Sequence, residues 1–179
     1  MATDDSEPSL SAFQLEAARL FFSLPASRGF PLAGGAALLA QHLTARPTED
    51  LDFFTAPERG HVLAARDALE AAARQRGWSV QRIHDSDTFC RMVIRSTNAS
   101  VLIDLAVNAP PDLPASDTPA GPTLAPEELA GHKLLALLTG LPHATSPTCT
   151  FWRVSSVRGL SLRGPARSMR ASTPQCSPT

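Results

Sequence analysis

The chain has 179 residues, of which 43% are hydrophobic and 18% are charged, and its formal net charge at pH 7 is −1. This length suits one ordinary domain, and the balanced charge indicates neither a nucleic-acid-binding surface nor an acidic tail. No apolar run reaches the roughly 18 residues of a membrane-spanning helix, and the acidic N-terminus is unlike a secretory signal. We therefore expect a cytoplasmic protein without a membrane partner.

The charge is unevenly distributed along the chain. Residues 1–140 contain all 17 acidic residues, whereas residues 141–179 contain five arginines, seven serines, five prolines and no acid. The second segment also lacks a sustained hydrophobic period, which is typical of disordered sequence. We therefore predict a folded domain over residues 1–140 and a low-order tail over residues 141–179. The three cysteines lack metal-ligand spacing, so they indicate neither a disulfide framework nor a zinc site.

In the first third of the chain, the sequence predicts alternating helices and strands. Apolar residues recur at helical spacing up to Pro25, with Ser9 as the N-cap of that helix. A short apolar strand stops at Gly34 and Gly35, and strong helix formers follow until Pro47. The predicted order is helix, strand, helix and strand, over residues 10–24, 30–33, 36–45 and 50–54.

The rest of the domain is predicted to contain a long helix, three strands and a final helix. Pro57 and Glu58 begin the alanine-rich helix, and Gly77 closes it. Turn residues separate the three strands, and a proline-rich connection over residues 109–126 leads to a helix that begins at Pro126. The predicted ranges are 57–76, 78–84, 89–95, 100–107 and 126–138. This order predicts an α+β domain with a mixed β-sheet flanked by helices.

Three aspartates are candidates for a metal site. Side chains at i and i+2 of a strand share one face about 7 Å apart, so Asp50 and Asp52 project together. Asp104 lies in the apolar strand of residues 101–107, where an uncompensated charge is costly. A Mg²⁺ ion shared by the three carboxylates would relieve both conflicts if the two strands are neighbours. The alternative is that Asp50 caps a turn, Asp52 is solvated and Asp104 pairs with an arginine.

Gly34 and Gly35 stand between a strand and the start of a helix. Without Cβ atoms, their backbone can approach a phosphate closely, and a helix N-terminus offers free amides. The lengths of the following helix and of residues 46–49 allow the glycines to lie at the same end of the sheet as Asp50. A simple tight turn is the alternative interpretation of the glycine pair.

With these residues considered together, the segment from Phe30 to Phe54 resembles the nucleotidyltransferase signature of the AbiEii/AbiGii toxin family. That signature is a glycine pair, a helix, and Arg-x-Thr/Ser-x-Asp-hydrophobic-Asp followed by two apolar residues. The similarity continues through residues 102–105 and 127–137. The resemblance implies a DNA-polymerase-β-like nucleotidyltransferase fold.

The resemblance also implies roles for particular residues. Magnesium would be bound by Asp50, Asp52 and Asp104, and Asp104 would also help to deprotonate the attacking hydroxyl. Lys133 would face phosphate charge from the helix after the sheet. The nucleoside triphosphate would be held by four residues of the signature, Gly34, Gly35, Arg46 and Thr48.

Several basic residues of the matching segments have alternative interpretations. Lys133 is the only lysine of the chain, and the alternative is an ordinary exposed helix lysine. Arg46 would either contact phosphate or pair with Glu49. His42 and His132 have no metal-ligand spacing, so we expect both on helix surfaces.

Members of this family transfer a nucleotide from a nucleoside triphosphate to an acceptor, which for some is tRNA, and many are toxins paired with an antitoxin. The resemblance therefore implies a metal-dependent enzyme that transfers a nucleoside monophosphate to an RNA or protein hydroxyl, as the toxin of such a pair. One alternative is a degenerate, inactive domain that binds a nucleotide or a partner. Another is a different sugar- or phosphate-transfer enzyme that uses the Asp-x-Asp unit for a metal-bound nucleotide.

The resemblance ends near residue 140. Family members continue with an Arg-Asp-Phe-x-Asp-x-Tyr-x-Leu segment, whereas this chain continues with a serine- and proline-rich sequence. If plausible GC-rich codons for residues 144–152 are read from the third base of the first codon, they encode Asp-Phe-Ala-Asp-Val-Tyr-Val-Leu. We therefore interpret residues 141–179 as out-of-frame sequence, in which case the last helices of the family would be missing from this chain.

Overall fold

A computed structural model describes residues 9–138 of the protein. This range contains four α-helices and seven strands, and the last five strands follow one another between the third and the fourth helix. The helices are α1 (Ala12–Phe22), α2 (Gly34–Ala40), α3 (Val62–Gln75) and α4 (Pro126–Leu138). The strands are β1 (Leu32–Ala33), β2 (Asp50–Thr55), β3 (Ser79–Asp85), β4 (Phe89–Arg95), β5 (Ser100–Val107), β6 (Ser116–Thr118) and β7 (Gly121–Thr123).

The strands form one mixed sheet in the order β3-β4-β5-β2-β1-β7-β6. β2 pairs with β5 and β1 pairs with β7 in parallel, whereas the other neighbouring strands are antiparallel. Parallel strands need a long crossover connection, and α3, β3 and β4 supply it between β2 and β5. The predicted α+β class with a mixed sheet flanked by helices is confirmed.

The main hydrophobic core lies between the central strands and the helices α1 and α3. Successive residues of a strand point to opposite faces, so every second residue of β2, β4 and β5 enters this core. The rings of Phe21 in α1 and Phe53 in β2 pack with their centroids 4.2 Å apart, and Leu69, Met92 and Ile103 are fully buried around them. The intervening residues of the same strands form the opposite face, on which the candidate site lies.

The N-cap of α1 is Ser11, not Ser9 as the sequence predicted. The Ser11 hydroxyl oxygen accepts from the backbone N–H of Gln14 at 3.2 Å, and the Gln14 side-chain oxygen accepts from the backbone N–H of Ser11 at 2.9 Å. The prediction took the serine that directly precedes Leu10, the first apolar residue. A reciprocal capping box needs Gln or Glu three residues after the cap, and Ser9 has Ala12 at that position.

The second helix is shorter than predicted, because tertiary contacts end it early. α2 ends at Ala40, although helix formers continue to residue 45. The Gln41 side-chain amide donates to the Thr123 hydroxyl and to the Leu124 carbonyl, both at 2.7 Å, which fixes the end of α2 to β7. The next residue, His42, adopts a left-handed backbone with φ of 58°, a conformation that does not continue a helix.

Two other predictions in the loops are corrected by the structure. α3 begins at Val62 rather than at Pro57 or Glu58, since residues 57–59 form a turn. The proline-rich connection predicted over residues 109–126 contains the short antiparallel strands β6 and β7. Three-residue strands are too short to show the alternating pattern from which strands are predicted.

The remaining elements agree with the sequence analysis. β4, β5 and α4 have the predicted bounds, and Gly77 adopts the expected left-handed conformation after α3 with φ of 76°. Within residues 9–138, the helices are too short or too polar to cross a membrane. The predicted tail over residues 141–179 and its out-of-frame interpretation lie outside the described residues.

Candidate active site

The pairing of β2 with β5 brings the three candidate aspartates to one face of the sheet. In this parallel register, Asp52 lies opposite Asp104, and Asp50 lies opposite Leu102. Residues directly opposite on adjacent strands point to the same side, and Asp50 shares the side of Asp52 because it is two residues away. We call this surface the acid-bearing face. Asp104 is buried on it, whereas Asp50 and Asp52 are half-buried.

Asp104 forms a bidentate ion pair with an arginine. Arg91 of β4 lies directly opposite Asp104 on β5. The Arg91 Nε donates to one carboxylate oxygen at 2.8 Å, and a terminal guanidinium nitrogen donates to the other at 2.6 Å. This pair compensates the buried charge that the sequence analysis noted. An arginine partner for Asp104, one part of the alternative interpretation, is therefore present and lies on the acid-bearing face, and the metal role of Asp104 stays a prediction.

The Asp52 carboxyl is held in an environment that opposes its ionisation. Burial, together with the charges of Asp50 and Asp104, raises the pKa of Asp52 from 3.8 to about 7, and Arg91 acts in the opposite direction. Loss of solvation is the largest cause, since a buried carboxylate loses its contacts with water. A further positive charge beside Asp52 would therefore favour the ionised carboxylate.

Gly34 and Gly35 leave space for the side chains beside β2. A Cβ atom on Gly34 would lie 1.8 Å from the Asp52 Oδ2 atom, and one on Gly35 would lie 2.9 Å from the Thr48 hydroxyl oxygen. Gly34 also has a φ of 60°, which glycine adopts at little cost. The glycines thus lie at the same end of the sheet as the acids, as the sequence predicted. α2 has only seven residues, so its helix dipole is short. A phosphate placed here would contact the backbone of the two glycines.

Thr48 links Asp50 to the start of α1. The Thr48 hydroxyl donates a hydrogen bond to the Asp50 carboxylate. The Thr48 carbonyl accepts a hydrogen bond from the Gln14 side-chain nitrogen at 2.8 Å. Gln14 is buried, and its side-chain oxygen is already used in the capping box of α1. One side chain of α1 therefore holds the backbone that positions the first aspartate.

We predict that Gln14→Glu separates these two functions of Gln14. The variant keeps an acceptor for the capping box but loses the donor to Thr48 and places a carboxylate against a carbonyl oxygen. We expect a destabilisation of about 1–3 kcal/mol, as for other buried acceptors left without a partner. Thermal unfolding measures this loss of stability. The control Gln75→Glu makes the same charge change at an exposed position, and equal effects in the two variants would contradict the prediction.

The structure places the basic residues of the signature at the surface. Arg46 is exposed, and in the described part of the chain no ion pair joins it to Glu49, so the pairing alternative is not realised. Lys133 is exposed on α4. The neighbouring His132 is half-buried rather than a free surface residue, because its ring contacts Phe54 with centroids 6.2 Å apart. Phe54 follows Asp52 by two residues, so α4 lies over the acid-bearing face.

The donor chemistry of the three aspartates suits a divalent ion. Magnesium prefers carboxylate oxygens, and a cation beside Asp52 would offset the burial and the neighbouring charges that raise the pKa of this carboxyl. Within residues 9–138, however, no three His, Cys, Asp or Glu side chains are already arranged to hold a metal. Both oxygens of Asp104 accept hydrogen bonds from Arg91.

Cys90, the cysteine within residues 9–138, does not contribute chemistry to the candidate site. Cys90 is buried in the core, and burial raises the pKa of its thiol to about 11, so it carries little thiolate at neutral pH.

Two residues of the site, Arg91 and Gln14, were not predicted from the sequence. Neither belongs to the signature. Arg91 reaches the site through the pairing of β4 with β5, and Gln14 reaches it through a contact between α1 and the segment before β2.

This fold and this cluster of acids define a class of protein. A mixed sheet with helices on its faces and an Asp-x-Asp unit paired to a third aspartate is the arrangement of a polymerase-β-like nucleotidyltransferase. The family described as nucleotidyl transferase AbiEii toxin, type IV toxin–antitoxin system, matches residues 19–148, and the chain belongs to this family. The resemblance found in the sequence is thereby confirmed.

Two solved structures from Helicobacter pylori resemble the chain. JHP933 is 20% identical, the match covers 72% of this chain and 59% of that one, and the TM-score is 0.47. A candidate nucleotidyltransferase from the same bacterium is 18% identical, with coverage of 70% and 59% and a TM-score of 0.47. The chain thus spans 59% of the length of either protein. No curated protein sequence shows a significant match.

Proposed function

We propose that this chain is a metal-dependent nucleotidyltransferase. In this proposal it transfers a nucleoside monophosphate from a nucleoside triphosphate to a hydroxyl of an RNA, such as tRNA, or of a protein. It would act as the toxin of a toxin–antitoxin pair in the cytoplasm, with a cognate antitoxin as its partner. Membership of the AbiEii family supports the reaction class and the toxin role.

The observation that carries the proposal is the register between β2 and β5. Asp52 and Asp104 are direct neighbours across two parallel strands, and Asp50 shares their face. Burial, followed by the charges of Asp50 and Asp104, raises the pKa of Asp52, so the ionised form of this carboxyl is disfavoured where it lies. Proteins seldom keep such a cluster unless a cation or a reaction makes use of it.

Each group of the site then has a defined task. Asp50, Asp52 and Asp104 would hold Mg²⁺, which when bound offsets the charge on phosphate and on the attacking and leaving oxygens. The acceptor oxygen forms a bond to the α-phosphorus, the bond from that phosphorus to its bridging oxygen breaks, and pyrophosphate leaves. Asp104 accepts the hydroxyl proton. The triphosphate would be bound by Gly34, Gly35, Arg46, Thr48 and Lys133.

The backbone at Gly34 supports this assignment. The glycine has no Cβ, and the carboxylate of Asp52 lies where that atom would be. The backbone of α2 therefore lies directly beside the acids, and a phosphate bound there would be close to a metal held by Asp52. The Thr48 hydroxyl, which donates to Asp50, keeps the first carboxylate turned towards the same region.

A transfer assay tests the proposed function. The purified full chain is incubated with Mg²⁺, total tRNA and each of the four labelled nucleoside triphosphates, and label on the RNA and on the protein is measured. We expect label from at least one triphosphate, and none with the Asp52→Asn variant. Triphosphate binding without any transfer would identify a degenerate binding domain instead. Label from a nucleotide-sugar donor would identify the sugar-transfer alternative.

A further inference from the structure

Arg91 is the cationic member of the aspartate cluster. It makes two hydrogen bonds to Asp104, one to each carboxylate oxygen, at 2.8 and 2.6 Å. The side chains of both partners are largely buried, with 19% of Arg91 and 7% of Asp104 exposed. Its guanidinium carbon also lies 5.6 Å from the ring centroid of Phe89 on the same strand, a cation–π contact that favours this position.

The charge of Arg91 acts on all three aspartates. Hydrogen bonding to Asp104, followed by the charges of Asp104, Asp52 and Asp50, raises the pKa of the Arg91 guanidinium. In return, Arg91 opposes the rise in the pKa of Asp52. A single guanidinium therefore offsets part of the negative charge of the cluster.

We propose that Arg91 is an internal counter-cation that competes with a divalent ion for Asp104. This inference rests on the proposed function, because it requires that the three aspartates bind a metal. Arg91 stabilises the cluster without metal and must give up at least part of its bond to Asp104 before that carboxylate becomes a full metal ligand. The residue is a positioning residue of the site, since it acts through Asp104.

Two physical effects make the competition unavoidable. The guanidinium fork occupies both oxygens of Asp104 in the geometry best suited to a carboxylate, so a metal must share or displace it. The positive charges of Arg91 and of a divalent ion also repel each other within a partly buried site, where screening by solvent and salt is weak. Both effects weaken metal binding in the wild-type protein.

Binding of Mn²⁺ to the metal-free full chain, measured by calorimetry, tests the inference without reference to catalysis. We expect Arg91→Gln to bind Mn²⁺ roughly tenfold more tightly than wild type, because the variant loses one positive charge and frees Asp104. We also expect its melting temperature to fall in EDTA and to recover more with Mn²⁺ than that of wild type. A purely structural role of Arg91 would lower the melting temperature without tightening metal binding.

Two further variants control for charge and for folding. Arg95→Gln removes the same charge four residues away on the same face of β4, where the arginine bonds Gln81 rather than an aspartate, so Mn²⁺ affinity should change about twofold at most. Arg91→Lys keeps the charge but cannot form the bidentate fork, so its affinity should lie between wild type and Arg91→Gln. If Arg91→Gln does not fold, the Mn²⁺ affinity of Arg91→Lys is compared with that of wild type instead.

The outcomes separate the inference from the proposed function. If wild type binds no Mn²⁺ at millimolar concentration and neither Arg91 variant does, the metal site itself is absent and the proposed function fails. If wild type binds Mn²⁺ and the Arg91 variants bind it equally or more weakly, the proposed function stands and the competition is overturned. In that case Arg91 would hold Asp104 in the position that metal binding requires.

Discussion

Replacement of Asp52 by asparagine should abolish nucleotide transfer while stabilising the metal-free protein. Even groups that only support metal ligands change activity or affinity by about 10–100-fold, so loss of Asp52, a proposed metal ligand, should lower the rate of the proposed transfer by more than a hundredfold. The same change removes a carboxylate whose pKa is raised to about 7 by burial and by Asp50 and Asp104. In EDTA near pH 8, where the wild-type carboxylate is largely ionised, the melting temperature should rise by about 2–4 °C, or roughly 1 kcal/mol.

Asp52→Asn should lower the transfer rate and raise the stability of the metal-free protein. A variant that merely damaged the fold would lower both. Thermal unfolding with EDTA and with Mg²⁺, together with the transfer assay, measures both. Mg²⁺ should raise the melting temperature of wild type and leave that of Asp52→Asn nearly unchanged. Asp87→Asn is the matched control, because it removes the same charge from an exposed position of the β3–β4 turn. A variant that melts lower than wild type in EDTA would show that the carboxylate is stabilising, contrary to our account.

The sequence was sufficient to predict the acidic cluster because each of its parts has a local signal. The alternation of β2 shows that Asp50 and Asp52 share a face, and the apolar run of β5 makes Asp104 conspicuous. The resemblance then supplied the pairing of the two strands. What no local pattern gives is the register of a parallel pair, which depends on the long crossover between β2 and β5.

Arg91 was missed although its signal was present. The sequence predicts that β4 ends at residue 95 and β5 begins at residue 100, and in the structure Arg95 and Ser100 are the last paired residues of this hairpin. In an antiparallel hairpin the turn fixes every later pair. Counting four residues back from Arg95 and four forward from Ser100 places Arg91 opposite Asp104. The residues of a hairpin and the position of its turn are therefore enough to identify the charged partner of a buried acid.

The early end of α2 could not have been predicted in this way. Every residue from Ala36 to Ala40 favours a helix, and the favourable run continues beyond the observed end. The helix stops because Gln41 bonds to Thr123 and Leu124 in a region of the chain more than 80 residues away. Helix propensities differ by less than about 1 kcal/mol per residue, so two tertiary hydrogen bonds are enough to override them.

Gly34→Ala should abolish the proposed nucleotide transfer, because its new Cβ would occupy the position of the Asp52 carboxylate. That atom would lie 1.8 Å from Asp52 Oδ2 and 2.8 Å from Asp52 Cγ, so the carboxylate must move. The backbone φ of 60° adds the cost of a left-handed conformation, about 1–2 kcal/mol for a residue with a side chain. We expect the proposed transfer to fall by more than about a hundredfold, as for Asp52→Asn, since the same proposed metal ligand is displaced.

Gly77→Ala separates the clash from the backbone cost. Gly77 has a φ of 76°, but a Cβ atom at this position would have no neighbouring atom within 4 Å. This variant should therefore lose only the backbone contribution and keep full transfer activity. Any greater loss of stability in Gly34→Ala then measures the contact with Asp52. In the Asp52→Ala background the contacts with Oδ2 and Cγ are gone and only the Cβ of residue 52 remains, at 3.3 Å, so Gly34→Ala should cost little more than Gly77→Ala. Urea unfolding measures the loss in the free energy of unfolding. If Gly34→Ala causes the same loss with and without the Asp52 side chain, the glycine is needed only for the backbone conformation and does not make room for the acid.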